Sequence, residues 1–224
     1  MLQQNTLQFL TDLKANNNKA WLDAHRTAYE QAKADFSQLI SLILNGLSEQ
    51  DSELARVPLE AKNCVYALNR DVRFSADKSP YKTNFSARFN LGGKKAPTAG
   101  YYLSVEPGNS VLLGGMYEPE SDILAKIRQE IDYKLTDLEQ ILAAPAFKTQ
   151  IGSLQQEEAL KRPPKGYEAD NPAIEYLKLK SFIGSYPLSD EKLTKPKLAE
   201  QALTVYASLT PLVHYLNRFM PQTA

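Results

Sequence analysis

The chain has 224 residues, 43% hydrophobic and 23% charged, with 26 Lys and Arg balanced by 26 Asp and Glu. With 12 Tyr and 8 Phe to fill a core, this composition excludes disorder as the main state, and the balanced charge excludes a general nucleic-acid coat. Cys64 is the single cysteine, so a disulfide scaffold is excluded and a reducing compartment is expected. The longest apolar stretch, 39–47, is broken by Ser41, Asn45 and Gly46 and falls short of the about 20 residues a membrane span needs. The opening MLQQNTLQFL has neither a basic nor a strongly apolar region, so no signal peptide and a cytoplasmic location are expected.

In chain order, Asn5 to Lys14 carries Leu7, Leu10 and Leu13 at helical spacing. Asn16, Asn17 and Asn18 break that pattern and offer a cap to a second helix running from about Lys19 to Leu47, with Asn45-Gly46 as its stop or kink. From residue 62 the grammar changes. Val65 to Leu68, Phe85 to Leu91, Tyr101 to Val105 and Val111 to Tyr117 read as strands, the last two joined through Pro107-Gly108-Asn109. Ser121 is the expected cap of a helix through Ile131, followed by helices over 136–143 and 174–179, and Phe182 to Leu188 is a candidate extra strand. A helix from Pro196 to Phe219, kinked or divided at Pro211, closes the chain. The expected architecture is one α+β domain over 1–224: helical to residue 50, a sheet core over 62–118, and a helical and loop-rich remainder. Its antiparallel sheet of about four or five strands packs against N-terminal and C-terminal helices.

Charge is unevenly placed. Lys62 to Lys95 holds eight cations (Lys62, Arg70, Arg73, Lys78, Lys82, Arg88, Lys94 and Lys95) against Asp71 and Asp77, a local excess of six. Its densest part, Asn69 to Lys82, interleaves Val72, Phe74 and Tyr81 with both signs of charge. Arg70 falls in phase with Tyr66 and Leu68 if the strand continues, and a guanidinium at the edge of an apolar face needs a carboxylate or an anionic ligand.

The chain resembles the domain of unknown function 2461 family of conserved, mostly bacterial proteins over nearly its whole length. The resemblance rests on Asn17-Asn18-Lys19-Ala20-Trp21 with Arg26 and Tyr29, and on Arg70-Asp71-x-Arg73-Phe74 with Asp77-Lys78-x-Pro80-Tyr81-Lys82. Gly100-Tyr101-Tyr102, Gly114-Gly115, Pro119, the block Leu160 to Tyr167, Pro172, and Leu177-Lys178-x-Lys180-x-Phe182 complete it. Ala67 departs from the Arg that many relatives carry there. The resemblance implies no established activity.

Four readings of the basic segment stand side by side. In the first, Arg70, Arg73, Lys78, Tyr81 and Lys82 bind a phosphate-bearing or other anionic small molecule, with Lys161, Arg162 and Lys165 as a second wall. In the second, the chain is a structural or interaction protein in which the same charges form an ion-pair network pinning the strand-to-loop junction. In the third, Asp71, Asp77, Lys78 and Tyr81 supply acid, base and electrophile for phosphoryl or phosphodiester chemistry, an arrangement also compatible with a weak Mg²⁺ site. In the fourth, Arg73, Arg88, Lys94 and Lys95 with Phe85, Phe89, Tyr101 and Tyr102 form a basic sheet face for nucleic acid. No resident metal or other cofactor and no membrane partner are expected, and sequence leaves the oligomeric state open. His25 and His214 lie on expected helices too far apart in sequence to suggest a zinc site, and Cys64 reads as a small core residue. Asn17, Asn18 and Trp21 read as a helix cap and a core aromatic, with Arg26 within conceivable reach of the basic segment. Gly114-Gly115 reads as a point of close backbone approach.

Overall fold

A computed structural model describes residues 1–220. α1 (Gln4–Ala15) buries Leu7, Phe9, Leu10 and Leu13. Asn18 caps α2 (Lys19–Ala24), its Oδ1 accepting the Trp21 N–H at 2.9 Å. The expected single helix divides here: α3 (Arg26–Gln50) starts anew after His25, which leaves helical geometry at ψ 26°. The His25 ring stacks on Trp21 at 4.1 Å, with Nδ1 2.8 Å from the Trp21 carbonyl. α3 does not stop at Asn45-Gly46. Gly46 instead admits a neighbour, since a Cβ there would stand 2.9 Å from Leu203 Cδ2.

A short 3-10 turn (Leu54–Arg56) and α4 (Ala61–Cys64) follow. The expected strand over 65–68 does not form. The segment pairs at isolated bridges, Val65 with Ala87 and Asn69 with Tyr81. Arg70 N–H donates to the Pro80 carbonyl at 2.9 Å, but Pro80 has no N–H to return, so the pairing at Asn69 and Tyr81 cannot extend past Arg70.

The sheet is fully antiparallel in the order β1 (Phe85–Asn90), β2 (Gly100–Val105), β3 (Ser110–Met116), β4 (Phe182–Leu188). The candidate extra strand is thus its fourth member, and the class is α+β. Register puts Phe85 with Val105, Ala87 with Leu103 and Leu112, and Phe89 with Tyr101 and Gly114 on one face, all buried. α5 (Ser121–Tyr133), α6 (Leu135–Ala143), α7 (Pro145–Gln150), α8 (Ile174–Leu177) and α9 (Asp190–Leu193) link the sheet to the closing helix, with Glu120 rather than Ser121 in the cap position of α5.

That closing helix, α10 (Leu198–Asn217), lies on the buried face. Gly114 and Gly184 are opposite each other in β3 and β4, and Leu209 fills the space above them; a Cβ on Gly114 would stand 2.8 Å from its Cδ1. Pro211 does not divide α10. Both Pro211 and Ala207, whose carbonyl loses its partner, face solvent. At the end of α3 the buried Asp51 carboxylate accepts from Tyr101 OH at 2.6 Å and contacts His214 Nε2 at 2.8 Å, joining α3, β2 and α10. Among the described residues no helix is long and apolar enough to cross a membrane.

Candidate functional site: a cationic groove beside a self-paired loop

The basic segment divides into two parts. Residues 70–79 form a protruding loop closed by the Asn69–Tyr81 bridge. Within it Arg70 pairs with Asp77 and donates to Ser79 O and Ser75 Oγ, each at 3.3 Å. Arg73 grips Asp71 through Nε at 3.0 Å and Nη2 at 2.7 Å. Lys78 donates to the Val72 carbonyl at 3.0 Å. The Ser79 hydroxyl and amide, then Arg70, hold the Asp77 carboxyl well below the usual carboxylate range, and Arg73 lowers that of Asp71. Both carboxylates therefore stay ionised near neutral pH and are poor proton acceptors. They bind different arginines, and among the described residues no three His, Cys, Asp or Glu side chains converge as metal ligands. Phe74, at the tip, is 96% exposed with the Arg73 guanidinium 5.8 Å from its ring.

Tyr81 and Lys82 belong to the other part. Asn17 clasps the chain here: its Nδ2 donates to Tyr81 O at 2.9 Å and its Oδ1 accepts Tyr81 N–H at 3.1 Å. Asn17 and Asn18 thus do separate work, the first tying the α1–α2 corner to the strand entry and the second capping α2. The result is a groove of about 760 Å³ between α2–α3 and residues 62–69, with Tyr81, Phe85 and Lys94 completing its lining. Lys19, Arg26, Lys33, Lys62 and Lys94 line it, against Asp23 as the one lining carboxylate among the described residues.

Most of these cations have carboxylate partners: Lys19 with Asp23 at 2.5 Å, Arg26 with Glu30 at 3.0 Å, Lys62 with Glu60 at 2.6 Å. Lys82, which stands beside the lining, and Lys94 have none among the described residues. Their ammoniums stand 5.2 and 5.8 Å from the centre of the Tyr66 ring, and Lys94 also donates to the Val65 carbonyl at 2.5 Å. Burial, then the nearby Lys94 charge, pushes the Lys82 ammonium below the usual lysine range. On the α3 wall Arg26 and Lys33 lie 5.3 and 5.8 Å from the Tyr29 ring centre, but there Glu30 stands 3.0 and 3.9 Å from them.

The second expected wall is elsewhere. Residues 154–155 pair with the outer edge of β4, and Leu160 N–H donates to Lys178 O, so exposed Lys161, Arg162 and Lys165 follow from that side. The segment carrying Tyr66 pairs instead with β1, its N–H reaching Ser86 O at 2.9 Å. The two blocks attach to opposite sheet edges, three strand spacings or about 14 Å apart. The basic sheet face does not assemble either. Phe85, Phe89 and Tyr101 are buried on the helix-covered face, while Arg88 and Tyr102 are on the other, with Arg88 donating to Thr98 O at 2.6 Å.

Burial pushes the Cys64 thiol up to about 11, which makes it an inert core residue at neutral pH. Lys33, Tyr66 and Asn69 were not candidates on the sequence. The signal for Tyr66 was its two-residue offset from Leu68; nothing local marked Lys33.

No curated protein and no solved structure matches the sequence. One family does, under the description "Conserved hypothetical protein (DUF2461)", over residues 5–215, and the chain belongs to that family.

Proposed function

We propose that the groove between α2–α3 and residues 62–69 binds a phosphate-bearing or otherwise anionic small molecule, with Lys94 in its lining and Lys82 beside it over the Tyr66 ring as principal anchors, and Arg26, Lys62 and Tyr81 around them. The observation that carries this reading is that two half-buried ammoniums share one tyrosine ring without a carboxylate between them. Cations drawn together out of water repel each other, and a bound anion relieves both the repulsion and the lost hydration. The neighbouring loop supports the opposite assignment for its own charges: Arg70 and Arg73 already hold carboxylates, so there the ion-pair network is the better reading.

The test is calorimetric titration with inorganic phosphate, pyrophosphate and citrate at low and high salt. Binding that falls at least tenfold in the Lys82→Gln/Lys94→Gln double variant, with the melting temperature preserved, is the expected result. Binding unchanged in that variant, or no binding of any anion, overturns the proposal.

A further inference from the structure

We infer that the ligand of this groove is a nucleoside phosphate, its base laid against a tyrosine ring and its phosphates held by the lysines. The inference rests on the anion reading above and adds the part of the ligand that the cations do not touch. A groove of about 760 Å³ is of the size that takes a whole small-molecule ligand, so a bare phosphate leaves most of it unfilled.

Most of the rest of the lining is aromatic or apolar, with Asp23, Ser37 and Asn69 among it. Tyr29 stands on the α3 wall and Tyr66 on the other, while Leu22, Phe36, Leu68 and Phe85 reach the groove from the buried core. Tyr66 is set in orientation by its hydroxyl, which donates to Lys94 O at 3.2 Å. A flat ring would stack there by taking the place of the ammoniums that now stand over Tyr66, which would turn to meet its phosphates. Exposed Asn69 also lines the groove, and a carboxamide there supplies both a donor and an acceptor to a base edge.

Other anions fit this lining less well. A sugar phosphate finds hydrogen-bonding partners in Asp23, Ser37 and Asn69 but leaves the Tyr29 and Tyr66 rings without a flat partner. A fatty acid brings one charge to a site with cations on both walls.

The same chemistry comes from a free nucleotide or from one nucleotide of a single strand, and the experiment separates them. The full chain is titrated with AMP, ADP, ribose 5-phosphate, pyrophosphate and a five-nucleotide single-stranded DNA, each at two salt concentrations. AMP should bind at least tenfold more tightly than ribose 5-phosphate. Tyr66→Leu should lower AMP affinity more than ribose 5-phosphate affinity and so erase that preference, and Tyr66→Phe should keep it. If Tyr66→Leu does not fold, Tyr29→Leu takes its place, with the same expected loss of preference.

An oligonucleotide bound more tightly than AMP, with steep salt dependence, identifies a strand as the source. AMP or ADP bound as tightly as the oligonucleotide identifies the free nucleotide. Equal affinity for AMP and ribose 5-phosphate overturns the inference and leaves the anion groove standing. Binding of none of these overturns both.

Discussion

Two cationic regions lie side by side in one stretch of chain and have opposite chemistry. In the 70–79 loop each guanidinium holds a carboxylate of the same loop, and the charges balance locally. At the groove, Lys94 in its lining and Lys82 beside it lie over Tyr66 with no such partner among the described residues. The contrast shows that a count of basic residues does not locate an anion site. What matters is whether the fold has already supplied the counter-charge.

The largest expected effect comes from a third, buried pair that sets the scale. The Asp51 side chain is 2% exposed. Asp51→Ala leaves Tyr101 OH and His214 without their acceptor and should lower unfolding stability by about 3 kcal/mol, measured by urea denaturation. Burial pushes the Asp51 carboxyl up, but the hydrogen bonds from Tyr101, His214 and the Leu54 N–H outweigh this and hold it below its ordinary value. Its contribution is therefore complete above the ordinary carboxylate range, near pH 4, and is lost as pH falls through the lowered value. Asp51→Asn should flatten the acid limb of the stability profile; an unchanged limb would remove Asp51 from the account.

Next in size is the groove. Each charge-assisted contact is worth about 1.5 kcal/mol or more, so losing either Lys82 or Lys94 should weaken anion binding roughly tenfold. Because Lys82 titrates below the usual lysine range, anion affinity should decline with rising pH before ordinary lysines deprotonate. Titrations from pH 7 to 10 should show this decline in the parent and a shallower one in Lys82→Gln.

Asn17→Ala removes both hydrogen bonds to the Tyr81 backbone. It should cost about 1–2 kcal/mol of stability and a few-fold in anion affinity, since Lys82 is the next residue. The smallest effect belongs to the loop: Arg73→Ala should leave anion affinity within twofold and the melting temperature within about 1 °C, because its pair with Asp71 is exposed to solvent. A large loss of binding in Arg73→Ala would invert the comparison.

Much of the fold was legible. Phe85, Ala87 and Phe89 alternate with Ser86, Arg88 and Asn90 because one sheet face is covered by helices, and that period is visible in residue types alone. The break at His25 was not, since it depends on a ring stacking on Trp21 and reaching its carbonyl. The missing strand at 65–68 was hidden because its pairings, Val65 with Ala87 and Tyr66 N–H with Ser86 O, are to residues of β1 far along the chain and stay isolated. At the site, sequence located the charged segment but not its division. Arg70 and Asp77 meet only when the loop closes, while Lys82 and Lys94 converge on Tyr66 through the turn into β1 and the loop that follows it. Arg26 and Lys33 come from a helix far upstream, and only the fold brings them to the same groove.

The sheet order has a consequence for how the protein assembles. β1, β2 and β3 follow one another through short connections, whereas β4 joins β3 only after the chain from residue 117 to 181 has been closed into a loop. Loop-closure entropy rises with the length of that excursion, and contacts made across it are late ones in a folding reaction. The three-stranded meander, with α3 and the segment carrying Tyr66 against it, can therefore organise first. The groove belongs to this early half, and the Leu209 side chain of α10 seats itself over Gly114 and Gly184 only when the last strand arrives.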